Sequence, residues 1–324
     1  MLIFDTMTAH MKTSAMLAAV DLGVFTAIDE GASGVEALAA KCQTSEKGMR
    51  VLCDYMTING FLTKSDGTYA LTADSAAFLS RKSPMYMGGV TQFLGRVEYR
   101  HMFDDLTEVV RKGGCVDQVG TVGDNWDGWV DFAHGMAAMM MPAGQAIAGL
   151  VGQGSPMRVL DIAAGHGMFG ILIAQGNPAA QIVALDWHNV LAVAKANAAK
   201  AGVSDRYATI AGSAFEAEFG SGYDVVLITN FFHHFDGKTC EGLMHKVLTA
   251  LKPGGRAITL EFVPNEDRVT PPSAAAFAMT MLGSTPAGDA YTFAEYEKMF
   301  FKAGFGKTEQ HMMPTGQSIL VSVK

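Results

Sequence analysis

Two side chains that could move a proton lie near the ends of neighbouring hydrophobic segments of this sequence. His233 follows the segment 224–229, and Glu261 lies near the end of the segment 256–262. An imidazole can act as a general base near neutral pH. A carboxylate that accepts a hydrogen bond from one ring nitrogen leaves the other nitrogen free to accept a proton. The pattern predicts a base, His233, oriented by Glu261, with a purely structural His233 as the alternative. No metal site is expected, because adjacent histidines diverge on most backbones and no third His or Cys has suitable spacing.

A glycine-rich segment, 158–170, predicts a buried strand, a tight turn and the start of a helix. Gly165 and Gly167 allow a sharp turn and the close approach of a ligand. Together with Gly170 they also fit the spacing of a dinucleotide site. Asp161, before the turn, instead suits a cofactor with a cationic amino-acid portion, such as S-adenosyl-L-methionine (SAM). Both cofactor classes stay open at this point.

Asp186 ends the next predicted strand, 181–185, and could accept hydrogen bonds from both hydroxyls of a ribose. Dinucleotide sites and SAM sites share this feature, so Asp186 does not distinguish them. A solvated loop aspartate is the alternative.

From residue 157 onward, predicted strands alternate with predicted helices, which is typical of a Rossmann-like, doubly wound α/β sheet. The sheet should be mostly parallel, and the last two segments, 307–313 and 317–323, predict an antiparallel hairpin. Ligands bind at the carboxyl ends of parallel strands. The candidate residues should therefore share one edge of the sheet.

Residues 1–84 predict a mainly helical domain of the winged-helix type, with three helices and a hairpin around Asp66 and Gly67. Winged helices often bind DNA. A phosphate-binding face should be basic, but acidic residues outnumber basic ones here. No nucleic-acid partner is expected.

The bulk composition limits the protein class further. The net charge of −8 argues against nucleic acid or an anionic membrane as the main partner, and the 4 cysteines form no CxxC pair, which fits a reducing compartment. No signal peptide is evident at the start, and the richest apolar run, 133–151, is interrupted by Gly and Pro. We therefore expect a cytoplasmic protein without a membrane partner.

Residues 85–152 predict a helical connector rich in aromatic and thioether side chains. Such a surface is either ordinary helix packing or the wall of an apolar substrate pocket, and the two interpretations stay equal. The candidate substrate residues, in the connector and beyond it, are Trp126, His134, Met136, Met140, Phe232 and Met281.

With these motifs the sequence resembles the class I SAM-dependent methyltransferases. More narrowly, it is similar to small-molecule O-methyltransferases, typified by plant caffeic-acid enzymes and by bacterial polyketide- and phenazine-tailoring enzymes of secondary metabolism. The stretches that carry the resemblance are 18–25, 160–167, 230–236 and 251–255. The resemblance spans nearly the whole chain.

The resemblance implies a winged-helix dimerisation domain over 1–84, a helical connector over 85–152 that forms part of the substrate pocket, and a SAM-binding domain over 153–324. It also implies a homodimer in which the N-terminal segment reaches the partner's pocket. SAM is the implied cofactor, without a metal, and His233 and Glu261 match the family's base and its flanking carboxylate. The residues expected to bind SAM are Asp161, Gly165, Gly167, Asp186, Trp187, Ser213, Ala214, Phe215, Thr229, Asn230 and His234.

The sequence departs from the family pattern at three places. His234 stands where an Asp is usual, and Ser213 where an acid near the adenine is usual. Ala290 matches the position of a second Glu, with Asp289 as the nearest carboxylate. These departures concern how the base is held and which atom is methylated.

The sequence thus predicts an enzyme that transfers a methyl group from SAM to a hydroxyl of a small, largely apolar, aromatic acceptor. N-, C- or S-methylation on the same scaffold is the alternative within enzymes. A non-catalytic, ligand-sensing winged-helix regulator is a less favoured alternative. A nicotinamide oxidoreductase comes third, because no motif for hydride chemistry is present.

Overall fold

The computed structural model describes residues 2–117, 120–123, 126–153 and 155–324. The chain divides after Arg96 into two compact units. This division differs from the boundaries expected after residues 84 and 152, and the three-part organisation stays a prediction.

The first unit is mainly helical and contains one antiparallel hairpin, β1 (Leu62–Ser65) and β2 (Thr68–Leu71). Its helices are α1 (Leu2–Met7), α2 (Ala9–Asp21), α3 (Val24–Asp29), α4 (Val35–Lys41), α5 (Glu46–Ile58), α6 (Ala73–Phe78) and α7 (Val90–Leu94). The Oγ atom of Ser45 accepts a hydrogen bond from the N–H of Gly48 at 3.1 Å and so caps α5. The predicted mainly helical character and the hairpin are confirmed, but five helices rather than three precede the hairpin.

The second unit combines helices with a seven-stranded sheet. Its helices are α8 (Val97–His101), α9 (Leu106–Lys112), α10 (Gly128–Val151), α11 (Met168–Gly176), α12 (His188–Lys200), α13 (Gly237–Ala250), α14 (Pro272–Ala275), α15 (Phe277–Ser284) and α16 (Phe293–Lys302). Its strands are β3 (Met157–Ile162), β4 (Ala180–Asp186), β5 (Tyr207–Ala211), β6 (Tyr223–Thr229), β7 (Leu251–Glu261), β8 (Thr308–Met312) and β9 (Ser318–Val323).

The sheet has the order β5-β4-β3-β6-β7-β9-β8. Strands β3 to β7 pair in parallel, and β9 runs antiparallel between β7 and β8. Helices α10, α11 and α12 cover one face, and α13 and α16 cover the other. The strand order reverses between β3 and β6, so the connections diverge there and leave a crevice at the carboxyl ends. The predicted doubly wound fold is confirmed.

One detail differs from the expected elements. Strand β7 begins at Leu251, which pairs with Tyr223 before a bulge, rather than at Arg256. Helix α10 is continuous from Gly128 to Val151 and includes Pro142. Packing of α10 against α11 and α12 offsets the hydrogen bond that Pro142 cannot donate. Among the described helices, none is long and apolar enough to span a membrane.

Candidate active site

The turn between β3 and α11 is built from residues in unusual backbone conformations. Ala163, Gly165 and Gly167 have φ of 54°, 56° and 74°. A Cβ atom on Gly167 would lie 2.5 Å from the Oη atom of Tyr207. Glycine is therefore required at 167 both by the backbone angle and by the neighbouring tyrosine.

Asp161 lies in β3 directly beneath this turn and is fully buried. Its Oδ2 atom accepts a hydrogen bond from the N–H of Gly170 at 3.2 Å. Its Oδ1 atom has no hydrogen-bond partner within the described part of the chain. Burial raises the pKa of the Asp161 carboxyl to about 7. Burying an ionised carboxylate without a partner for each oxygen costs free energy of folding. This position therefore favours a ligand with a positive charge or a hydrogen-bond donor.

Asp186 lies at the end of β4, where its carboxylate holds the turn in place. Oδ2 accepts from the N–H of Gly165 and Oδ1 from the N–H of Trp187, both at 2.7 Å. Burial raises the pKa of Asp186 to about 6. Each oxygen keeps a further lone pair, so the carboxylate could still accept hydrogen bonds from a bound hydroxyl.

A cavity of about 260 Å³ lies at the carboxyl ends of the central strands, within the second unit. Nine of the residues predicted to bind the cofactor line it. They are Gly165, Asp186, Trp187, Ser213, Ala214, Phe215, Thr229, Asn230 and His234. The other two, Asp161 and Gly167, do not line the cavity and lie beneath its glycine-rich wall.

None of the six candidate substrate residues is among the described residues that line this cavity. Phe232 is fully buried and packs against Tyr296 and Phe300. The other five lie on or beside α10 and α15. Trp126 packs on Trp129, and His134 is exposed. Met136 is half-buried, and Met281 is buried. The Sδ atom of Met140 lies 3.6 Å from Nδ2 of Asn230. Their role in substrate binding stays a prediction.

Several lining residues were not predictable from the sequence pattern. Trp129 and Phe132 come from the first turns of α10, and Phe231 and Phe235 flank the tandem histidines. The aromatic cluster at 126–132 was a signal for this wall, but its helical spacing alone did not indicate which members face the cavity. The remaining lining residues of this kind are Thr121, Val122, Ala163, Ala164, His166, Phe169, Leu185, Val190 and Gly212.

His233 and Glu261 form a buried pair at the ends of β6 and β7. Nδ1 of His233 hydrogen bonds to Oε2 of Glu261, and Oε1 of the same carboxylate accepts the N–H groups of Phe231 and Phe232 at 3.0 and 2.9 Å. Since the carboxylate is an acceptor, Nδ1 carries the proton and Nε2 is left with a lone pair. His233 itself is not among the cavity-lining residues, although its neighbour His234 is.

His234 is held by a different partner. Its Nδ1 atom donates to the carbonyl oxygen of Phe231 at 3.1 Å, and its ring lies 5.3 Å from that of Trp129 in an edge-to-face arrangement. Burial holds the pKa of His234 well below its usual range, with a smaller contribution from His233. The imidazole of His234 is therefore neutral.

Asp289 hydrogen bonds to His233 through its backbone, and its carboxylate pairs with a different residue. The carboxylate pairs with Arg268 at 3.4 Å, whereas the backbone N–H of Asp289 donates to the carbonyl oxygen of His233 at 3.0 Å. Glu261 is thus the carboxylate that hydrogen bonds to this imidazole among the described residues.

Comparisons with known proteins identify the family. The model of the O-methyltransferase domain matches residues 131–306, and that of the O-methyltransferase dimerisation domain matches residues 4–81. The chain is 27% identical to a 3-hydroxy-5-methyl-1-naphthoate 3-O-methyltransferase from Streptomyces sahachiroi, over 100% of this chain and 95% of that protein. It is 26% identical to an L-tyrosine C(3)-methyltransferase from Streptomyces lavendulae, over 83% of this chain and 76% of that protein.

Comparison with solved structures leads to the same family. A crystal structure from Nostoc punctiforme, classed as an O-methyltransferase, superimposes with a TM-score of 0.95 at 51% identity and covers 100% of this chain and 98% of that one. Human N-acetylserotonin methyltransferase in complex with SAM shares the fold, with a TM-score of 0.87 at 22% identity over 100% of this chain and 96% of that one. The chain therefore belongs to the O-methyltransferase family.

Proposed function

We propose that the chain transfers a methyl group from SAM to a hydroxyl of a small, largely apolar, aromatic acceptor, with His233 as the general base. The observation that carries this proposal is the buried pair of His233 and Glu261 beside the cavity. SAM, when bound, supplies an electrophilic methyl group on a sulfonium. The protein must then place the acceptor hydroxyl and remove its proton.

The residues that would hold SAM fit its chemistry. Asp186 has lone pairs left for the ribose hydroxyls, and Asp161 has an unpartnered, buried Oδ1 atom beneath the turn. Burial raises the pKa of both carboxyls, so a cationic ligand would stabilise their ionised forms. The other residues proposed for this site are Gly165, Gly167, Trp187, Ser213, Ala214, Phe215, Thr229, Asn230 and His234.

The proton step depends on the tautomer of His233. Glu261 fixes the proton on Nδ1, so that Nε2 can accept the proton of the acceptor hydroxyl. The resulting imidazolium would be stabilised by the same carboxylate, as in other buried carboxylate–histidine pairs. A general base of this kind contributes about 10²–10⁴-fold to the rate.

An aromatic acceptor is supported by the side chains around the cavity. Trp129, Phe132, Phe231 and Phe235 provide flat apolar surfaces for stacking and edge-to-face contacts. Two relatives have names that refer to related acceptors: the naphthoate 3-O-methyltransferase above and a tetracenomycin polyketide synthesis 8-O-methyltransferase from Streptomyces glaucescens. A panel of hydroxylated naphthoates and larger phenols is the first set of acceptors to assay.

The test is the His233→Ala variant with an acceptor found in that panel. Turnover should fall by about 10²–10⁴-fold, because the base is removed. SAM affinity, measured by calorimetry, should stay nearly unchanged. His101→Ala, on the exposed surface, is the matched control and should keep full turnover. If His233→Ala keeps more than about a tenth of the wild-type turnover, the assigned base is wrong.

C-methylation is a second candidate, because a relative of 26% identity is named as an L-tyrosine C(3)-methyltransferase. The product distinguishes the two reactions. Transfer of a ¹³C-labelled methyl group followed by NMR of the product reports whether the new carbon is bound to oxygen or to an aromatic ring. A ring-bound methyl would replace the O-methyl proposal.

A further inference from the structure

His166 lines the cavity, and its Nε2 atom has no hydrogen-bond partner among the described residues. The residue lies between Gly165 and Gly167 and is 2% exposed. Its Nδ1 atom accepts a hydrogen bond from the N–H of Met168 at 3.0 Å. A nitrogen that accepts from an N–H carries no proton, so the neutral ring must carry its proton on Nε2. His166 therefore presents a fixed N–H donor.

The position of the ring is also fixed from other sides. The carbonyl oxygen of His166 accepts from Nδ2 of Asn197 at 2.9 Å, and the ring lies 5.5 Å from that of Phe169. No protein acceptor for Nε2–H occurs among the described residues. Because His166 lines the cavity, a bound ligand could supply that acceptor. Burial lowers the pKa of His166 to about 4, which keeps the ring neutral at physiological pH.

The described lining of the cavity offers an anionic group neutral donors and no cation; besides His166, these donors include the hydroxyls of Ser213 and Thr229 and Nδ2 of Asn230. Among the described residues that line it, none is Lys or Arg, and the charged side chain is Asp186. The amino-acid portion of SAM carries a carboxylate, which needs hydrogen-bond donors wherever it is desolvated. Two other lining groups are already engaged: Nε1 of Trp129 donates to the carbonyl oxygen of Thr121, and Nδ1 of His234 donates to that of Phe231.

We propose that His166 positions the cofactor by donating Nε2–H to the carboxylate of its amino-acid portion. This inference rests on the proposed SAM site, and it assigns to one side chain both the capping of α11 and the recognition of the cofactor's carboxylate. A neutral donor suits this place, because a cation would repel the sulfonium and the ammonium of the same ligand.

The experiment compares two ligands by calorimetry: SAM and decarboxylated SAM, which lacks the carboxylate. The wild-type protein should bind SAM more tightly by roughly tenfold or more, as expected for a hydrogen bond to a charged group. In His166→Thr the hydroxyl can still cap α11, but the Nε2–H donor is lost. This variant should bind decarboxylated SAM as the wild type does and should lose most of its preference for SAM.

Two results would overturn the proposal: equal loss of affinity for both ligands in His166→Thr, or an unchanged preference for SAM. Asp186→Ala is the control for the site as a whole and should weaken both ligands alike. If Asp186→Ala weakens neither, the cavity is not the cofactor site and the inference falls with it.

A measurement on the wild-type protein avoids any folding defect of the variant. In ¹⁵N-histidine NMR, the Nε2–H proton of His166 should become protected from exchange with SAM and not with decarboxylated SAM. Protection by both ligands, or by neither, would contradict the assignment.

Discussion

Nδ1 of His233 donates a hydrogen bond to Oε2 of Glu261, and the other oxygen of this carboxylate accepts hydrogen bonds from the N–H groups of Phe231 and Phe232. Glu261 therefore binds the backbone that leads into His233 as well as the imidazole itself. The carboxylate is fully buried, so its three hydrogen bonds compensate for its desolvation. One residue thus sets the tautomer, the ring orientation and the local backbone.

Glu261→Gln should lower turnover, but less than His233→Ala does. The amide oxygen of Gln can keep the two backbone N–H groups, whereas its NH₂ group would face Nδ1 and favour the tautomer with the proton on Nε2. The fraction of base in the reactive tautomer falls, and the loss should appear in kcat rather than in KM. SAM affinity should be unchanged in calorimetry. A Gln variant with wild-type kcat would contradict the orienting role.

Gly288→Ala should displace the backbone of His233 and so lower turnover. A Cβ atom at 288 would lie 2.2 Å from the carbonyl oxygen of His233, which must then move. Overpacking of this kind costs about 1–3 kcal/mol of folding stability, and we expect kcat to fall with it. Gly242, in α13, is the matched control because a Cβ there has no neighbour within 4 Å. Gly242→Ala should keep full turnover and raise the stability to unfolding by about 0.5–1 kcal/mol.

The parts of this site that were predictable from the sequence are those set by local pattern. Asp161 and Asp186 lie at strand ends because alternating buried strands and glycine-rich turns determine where a parallel strand stops. The wall from α10 was not predictable in the same way. Almost all of α10 is apolar, so periodicity does not show that Trp129 and Phe132 face the cavity while Met136 packs against the sheet side.

The partner of the Asp289 carboxylate could not be predicted from the sequence either. The resemblance placed Asp289 next to Ala290, the position that matches the family's second Glu, but its carboxylate pairs with Arg268. Such a choice depends on side chains distant in sequence that meet only in the folded chain. The tautomers of His166, His233 and His234 are likewise set by their hydrogen-bond partners, which no spacing rule provides.

Removal of residues 1–14 should weaken self-association. Helix α1 exposes Leu2, Ile3, Phe4 and Met7, each more than half exposed in the single chain, and a family model of a dimerisation domain matches residues 4–81. Exposed apolar surface of this kind favours a partner, and we propose a second copy of the chain. Sedimentation should show a looser dimer for the truncated protein, with acceptor binding impaired more than SAM binding. A full-length chain that sediments as a monomer at micromolar concentration would exclude this assembly.

SAM affinity should fall when the pH is lowered through about 7. The pKa of Asp161 is raised to about 7 and that of Asp186 to about 6, in both cases because burial disfavours the charged form. If the cationic cofactor binds the ionised carboxyls, protons compete with it, so that affinity falls by roughly tenfold per pH unit below about 7 for one competing proton. Calorimetry between pH 5.5 and 8.5 measures this slope.

Variants at the two aspartates identify the competing group. Asp161→Asn should bind SAM weakly at every pH, and its SAM affinity should no longer fall as the pH is lowered through about 7. Asp104→Asn, on the exposed surface, should keep the pH dependence of the wild type. The ligand-free protein provides an independent check of the sign. Because the carboxyl of Asp161 takes up a proton more readily when folded, its ionisation destabilises the folded state as the pH rises from about 4 to about 7. In that range the melting temperature of ligand-free Asp161→Asn should decline less with pH than that of the wild type, and an identical decline would show that Asp161 is not the group that titrates.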